Sequence, residues 1–530
     1  MKRPAYSVLL LTWIVLLGAA TPIHAQRWLF ESPIKLTGDT AIDKVVLARL
    51  NKLKITPARV CKDHVFLRRV YLDVIGTLPT VQEAREFLKD KSPDKRSKLI
   101  DDLLNRDEFA DYWAMKWGDL LRVKAEFPIN LWPNAALAYH RWIHTGIREN
   151  KPYDRFAREL LTSSGSNFRV PPVNFFRAVQ SQEPESWARA AALAFMGMRI
   201  DKWEQDRREE LTSLFRYVGH KPTREWKEEI IYFDAVKATE DAATGGQMTA
   251  VLPDGASITL LPNEDPRIAF ADWLTAKENP YFARAVVNRI WYWLMGRGII
   301  HEADDIRNDN PPANPKLLAL LEMELIAAEY DLKHIYRLIL NSKTYQLAPV
   351  PRSKSPKAET NFAYYPLRRL EAEVLIDAVC QITGTTEEYS SQIPEPFTFI
   401  PEQQRTITLP DGSITSSFLE MFGRPSRDTG LESERNNTPS AFQQLHMLNS
   451  SHIRNKIEKG RKLRPLTRTA TKNPRQAVNM LYMSILSRNP TKEEFAIVNE
   501  YSKSGKVRGK KLVEDVAWAL INSTEFLYRH

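Results

Sequence analysis

Cysteine is nearly absent. The chain of 530 residues carries two, Cys61 and Cys380. Two thiols cannot staple a chain of this size, and ones so far apart fit no metal-site spacing. Whether they pair is left open, although Cys380 sits in an amphipathic stretch and reads as a small buried hydrophobe. Also missing are a phosphate-binding loop, a dinucleotide fingerprint, a zinc-binding helix motif and a nucleophile elbow. The reading therefore leans toward a binding protein rather than an enzyme, with no metal and no cofactor expected. After the first twenty-odd residues no apolar run is long enough to span a membrane.

What is present begins with an address. Met1-Lys2-Arg3 leads into a short apolar run from Tyr6 to Ala20, and a small residue follows at Ala25. This is the pattern of a secretory signal over residues 1–25, cleaved before Gln26. The expected compartment is periplasmic or extracellular. The net charge is +10, or +8 without Lys2 and Arg3. A basic exported chain suits an acidic or sulfated polysaccharide, or simply confers solubility. Much of the excess lies in 453–475, which holds nine Lys or Arg against Glu458. No nucleic-acid partner is expected.

Period and capping predict a mainly α, multi-helical protein with small β-hairpin insertions. The 279–346 stretch gives three helices, opened by Asn279-Pro280, Asn314-Pro315 and Asp331. Thr80 with Glu83, and Thr491 with Glu494, form capping boxes. Phe109, Trp113 and Trp117 make an aromatic stripe at four-residue spacing, which reads as core rather than as a sugar platform. One helix is expected over 185–198 and another over 367–383, the latter carrying Arg368, Arg369, Glu371 and Glu373 in structural roles. Ile230–Asp234 and 248–261 read as strands, the second folded at Pro253-Asp254-Gly255. The divisions that follow are an N-terminal helical domain (26–228), a β-containing linker (229–262) and a C-terminal helical domain (263–530).

Several of these stretches resemble an exported bacterial family that pairs Domain of Unknown Function 1549 with Domain of Unknown Function 1553, the planctomycete cytochrome C-like pair. The resemblance is carried by 279–346, by Phe66-Leu-Arg-Arg-Val-Tyr-Leu-Asp73, by Arg368–Glu373, by the glutamine–leucine–histidine helix near 439–448 and by Trp518–His530. It implies no established activity. It also implies a Cys-x-x-Cys-His haem-attachment motif after the turn at Phe195-Met-Gly197. Here that turn runs through Asp201 straight into Lys202-Trp203, with neither cysteine nor histidine. The family's Cys-x-Cys-Glu-Arg is likewise replaced by Leu431-Glu432-Ser433-Glu434-Arg435. The chain thus reads as a member without the haem site.

Two polar clusters are candidate sites. In loop 301–310, Asp304, Asp305, Arg307 and Asn310 suit calcium or acid–base chemistry, or else helix capping and ion pairs with Arg289 and Arg297. Arg424, Arg427, Glu434 and Arg435 suit a sulfate or carboxylate, or else a buried ion-pair network. Three functions follow: a haem-free accessory or binding protein for extracellular anionic polysaccharide, a hydrolase using the acids of loop 301–310, or a scaffold for other envelope proteins such as a haem-bearing paralogue. Covalent haem c needs two thiols and an axial histidine in one motif, so expression with a haem-maturation system should yield a colourless protein. A Soret band, or a mass surplus of one haem, would refute that expectation.

Overall fold

The computed structural model describes residues 29–245 and 248–530. The expected signal lies outside the described residues. Helix accounts for 54% of the structure, and among the described residues strands occur only in small antiparallel pairings, which makes the fold mainly α with small β insertions.

Local chemistry sets several helix starts. Thr80 and Glu83 exchange their hydrogen bonds at the head of Val81–Lys89, and Thr491 and Glu494 do so at the head of Lys492–Ser504. Asn314 and Asp331 accept from Leu317 and His334 N–H and open Pro315–Ala327 and Leu332–Asn341. At Asn279 the outcome differs. Its Oδ1 accepts from Tyr281 N (2.9 Å) and Phe282 N (3.0 Å), forming a turn, and the helix itself runs Phe282–Met295.

Two expected helices are corrected. Over 185–198, α-helix covers Pro184–Ala191, then a wider π-turn covers Ala192–Met196 and stops at Gly197 with φ +63°. A side chain at Gly197 would meet Ala303 O at 3.0 Å and Ile306 Cδ1 at 2.8 Å, so the turn lets loop 301–310 approach the backbone. Over 367–383, the helix begins only at Ala372. Arg368 and Arg369 are instead extended and pair with Tyr528–Arg529. The pairing partner lies at the far end of the sequence, so no local pattern announces it.

The strands form three small sheets. β1 (Gly165–Ser166), β2 (Val218–Pro222) and β3 (Glu229–Phe233) lie in the order β1-β3-β2. β4 (Met248–Val251) and β5 (Ser257–Leu260) form the expected hairpin, and β6 (Arg368–Arg369) pairs β7 (Tyr528–Arg529). β2 carries Gly219, His220, Lys221 and Pro222, weak strand formers that a propensity reading passes over.

The aromatic stripe is core. On the Asp107–Leu120 helix, Phe109, Trp113 and Trp117 are all buried. Trp113 meets Tyr336 at 4.5 Å and Trp293 at 5.4 Å between ring centroids, and Tyr153 stacks on Phe282 at 4.7 Å. Each such pair adds about 0.5–1.5 kcal/mol beyond its area burial. Residues from both halves of the chain thereby share one hydrophobic core.

His140, on the Pro133–Arg148 helix, is buried with Nε2 unpartnered, and burial, aided by Arg427, pushes its pKa down to about 3. An unfolded histidine titrates near 6.5. Between those values the unfolded chain takes a proton that the native state refuses, so stability falls as pH drops through that window. The loss reaches roughly 5 kcal/mol at the acid end. His140→Gln should flatten the decline in urea midpoint from pH 6.5 downward; identical slopes in both proteins would contradict the assignment.

Candidate functional site

Two polar assemblies sit where the halves meet: a buried ionic network and an open cleft. The network starts from one face of the 107–120 helix, where Tyr112, Lys116 and Asp119 recur at helical spacing. Tyr112 donates to Glu371 Oε2 (2.9 Å), and Lys116 pairs with the other oxygen of the same carboxylate. Asp119 accepts from Arg427 Nε (2.8 Å) and Arg435 Nη2 (2.6 Å). Arg435 also grips Glu373 at 2.7 Å and 3.1 Å. Burial pushes the Asp119 carboxyl up, but Arg435 and Arg427 outweigh it and hold it below its ordinary value. Burial acts the same way on Glu371, where Lys116 and Arg529 prevail.

The candidates named from sequence divide by exposure. Arg427 is fully buried, in a left-handed conformation (φ +61°), and its guanidinium also donates to Val123 O at 3.1 Å. Gly412 leaves room for it: a Cβ there would stand 2.8 Å from Arg427 Cδ. Arg424 donates to Ile414 O and lies 3.7 Å from Glu373. Glu434 takes no part in this pairing; it accepts from Thr429 N and Oγ1 at 2.6 Å. Asp304 pairs with Arg289 at 2.7 Å, both side chains 1% exposed, and accepts from Glu432 N at 2.6 Å. Asp305 lies 3.2 Å from the half-exposed Arg307 and 3.4 Å from Lys202. Asn310 donates to His301 O and Asp305 O, closing its own loop. Asp304 and the 432–435 turn therefore touch, while Arg307 and Asn310 stay apart from Arg427 and Arg435. Cys61 and Cys380 are both free thiols.

The second assembly is a cleft of about 1480 Å³. Thr77, Glu83 and Arg106 line it from the N-terminal half, and 384–390, 402–405 and 446–464 supply residues from the C-terminal half. The Ala372–Thr383 helix links it to the network. Glu373, Asp377 and Gln381 recur at four-residue spacing on one face. Glu373 holds Arg435, and Asp377 accepts from Thr406 N (2.8 Å) and Ile407 N (3.1 Å). Gln381 Oε1 accepts from Thr77 Oγ1 (2.8 Å), and its Nε2 donates to Leu78 O (2.8 Å). Cys380, expected to be buried, is partly exposed and lines the cleft. Burial raises its thiol to about 11, against the pull of Lys456 whose Nζ is 3.5 Å away.

Glu387 is the hub of the cleft's polar contacts. Its Oε2 accepts from His452 Nε2 and from Lys456 Nζ, both at 2.8 Å. His452 Nδ1 lies 3.3 Å from His446 Nε2, and Phe418 packs on both imidazoles with centroids 5.8 Å and 5.7 Å away. Reading the sequence missed this group. Its signals were weak: one acid in a loop-rich stretch, and two histidines six residues apart on the successive helices Ala441–Asn449 and Ser451–Glu458.

Fold and site together define a mainly helical protein whose two halves share a core and flank one polar cleft. Residues 41–215 match the model of a protein of unknown function, DUF1549, and residues 266–502 match that of a protein of unknown function, DUF1553. The chain belongs to the family that carries these two in tandem. No curated protein and no solved structure matches it.

Buried and exposed arginines should separate on substitution. Arg435→Ala strands Asp119 and Glu373 without their cation and should cost about 3–5 kcal/mol. Arg307→Ala, at an exposed pair, should stay within roughly 0.5 kcal/mol. Urea unfolding of the two variants checks the contrast, and similar small losses would show that the network is not structural.

Proposed function

We propose that the protein is exported and binds an acidic or sulfated polysaccharide in the cleft. One observation carries the reading: the basic 453–475 segment forms part of the cleft wall. Lys459, Arg461 and Arg464 line it, are exposed, and have no ion-pair partner among the described residues. Other cations of the cleft are already engaged. Arg106 pairs with Glu83 and Glu108, Lys456 with Glu387, and Lys462 donates to Gln381 O. Cations left unsatisfied on a concave surface are free to take up sulfate or carboxylate, and Arg does so with two parallel hydrogen bonds. Of the carboxylates that line the cleft, Glu388 and Glu402 have no ion-pair partner among the described residues. They would repel evenly charged polyanions and favour chains whose acidic groups are spaced to avoid them. The reading does not draw on loop 301–310, where Arg289 and the Glu432 N–H already occupy the Asp304 carboxylate.

The purified protein should remain on heparin or polygalacturonate resin at physiological salt. Replacing Lys459, Arg461 and Arg464 together by alanine should weaken retention by about 1–3 kcal/mol, roughly ten-fold or more in affinity. Stability should change little, since all three side chains are exposed and unpaired. Elution of the unmodified protein below physiological salt from both resins would end this reading.

A further inference from the structure

The Glu387–His452–His446 line has an orientation that the hydrogen bonds dictate. Burial works against ionisation of Glu387, but the His452 bond and Lys456 hold its carboxyl below the ordinary range. A carboxylate accepts only, so in a neutral His452 the proton sits on Nε2 and Nδ1 presents a lone pair. The 3.3 Å contact then needs the proton of His446 on Nε2. That leaves His446 Nδ1 as a lone pair with no hydrogen-bond partner among the described residues, on a side chain that lines the cleft. Phe418, and Phe422 at 6.1 Å, hold the ring. Burial and the neighbouring His452 lower the pKa of His446, with Glu387 opposing, so the imidazole is neutral at neutral pH and its Nδ1 lone pair is free to take a proton.

We propose that His446 is the general base of a β-elimination on a uronate-containing glycan, with His452 and Glu387 as its positioning residues. The inference rests on the anionic-polysaccharide reading and deepens it from binding to cleavage. A uronate's C5–H is acidic only when its carboxylate is neutralised, and Lys459, Arg461 and Arg464 supply unpaired charge in the same cleft. His446 Nδ1 takes the C5 proton. The C–H electron pair becomes the C4–C5 double bond, and the C4–O glycosidic bond breaks with its pair on oxygen. The His446 imidazolium gives that proton up to the departing oxygen, which becomes a new reducing end, so the imidazole is regenerated, one proton is moved and no water is consumed. Glu387, facing the imidazolium chain, stabilises the charge that the transferred proton brings.

The test incubates the full purified chain with polygalacturonate and with alginate, following ultraviolet absorbance of the unsaturated uronate together with reducing ends. On at least one polymer both should rise in equal number. His446→Gln should cut the rate by about 10²–10⁴-fold while leaving resin retention unchanged. Glu387→Gln should lower kcat with KM unchanged, a split that a loosened fold would not give. Retention on acidic glycan without either product would overturn the elimination and leave the binding reading standing. Reducing ends without absorbance would mean hydrolysis and also overturn it. Absence of both retention and products would overturn the two readings together. The unmodified chain alone decides these cases, whether or not the variants fold.

Discussion

Charge closure across the two halves is the constraint on which this fold depends. Asp73, on the Asp63–Val74 helix, is fully enclosed by partners from the other half: Tyr345 and Tyr365 hydroxyls at 2.8 Å and Arg529 at 3.1 Å. Arg68 and Arg69 on the same helix reach the same distant region through its carbonyls, at Ile485, Phe526, Tyr345, Leu347 and His530. Asp119 and Lys116 on the Asp107–Leu120 helix repeat the arrangement with Arg427, Arg435 and Glu371. Taking these ions out of water costs several kcal/mol each, and only a complete set of partners offsets it. Either half alone would hold stranded charges, so the two fold as one body.

This constraint also explains what the cleft is made from. The Ala372–Thr383 helix lends one face to both assemblies, with Glu373 tied to the network and Gln381 clasping Thr77 and Leu78 at the cleft edge. A shift of that helix would disturb the ion pairs before it opened the cleft. One edge of the cleft is therefore continuous with a helix whose other end is fixed by desolvated ion pairs, and such support favours a rigid site.

Local features were legible in the sequence because local physics writes them. Capping boxes at Thr80 and Thr491, the helix starts at Asn314 and Asp331, and the Phe109–Trp113–Trp117 stripe each depend on residues a turn or two apart. What escaped depends on partners hundreds of residues away. Arg368 and Arg369 read as helix, yet they are strand because Tyr528 and Arg529 lie alongside. Arg424, Arg427 and Arg435 were visible as a polar cluster, but composition cannot say whether a charge faces water or a carboxylate. The Glu387–His452–His446 group was invisible for the same reason: its acid lies in an irregular stretch, and nothing in sequence spacing places that stretch against the two histidines.

The arginines show how burial, rather than residue type, separates structure from function here. Arg68, Arg69, Arg427 and Arg435 spend their donors on carbonyls and carboxylates inside the protein. Arg461 and Arg464 carry the same guanidinium with no protein acceptor among the described residues. A fully engaged guanidinium cannot trade its partners for a ligand without stranding buried carboxylates, and an exposed one strands nothing when a ligand leaves. Of the two sets, only the cleft cations could take up and release an anion without such a cost. The network, for all its similarity to an oxyanion site in composition, is the frame that keeps them in place.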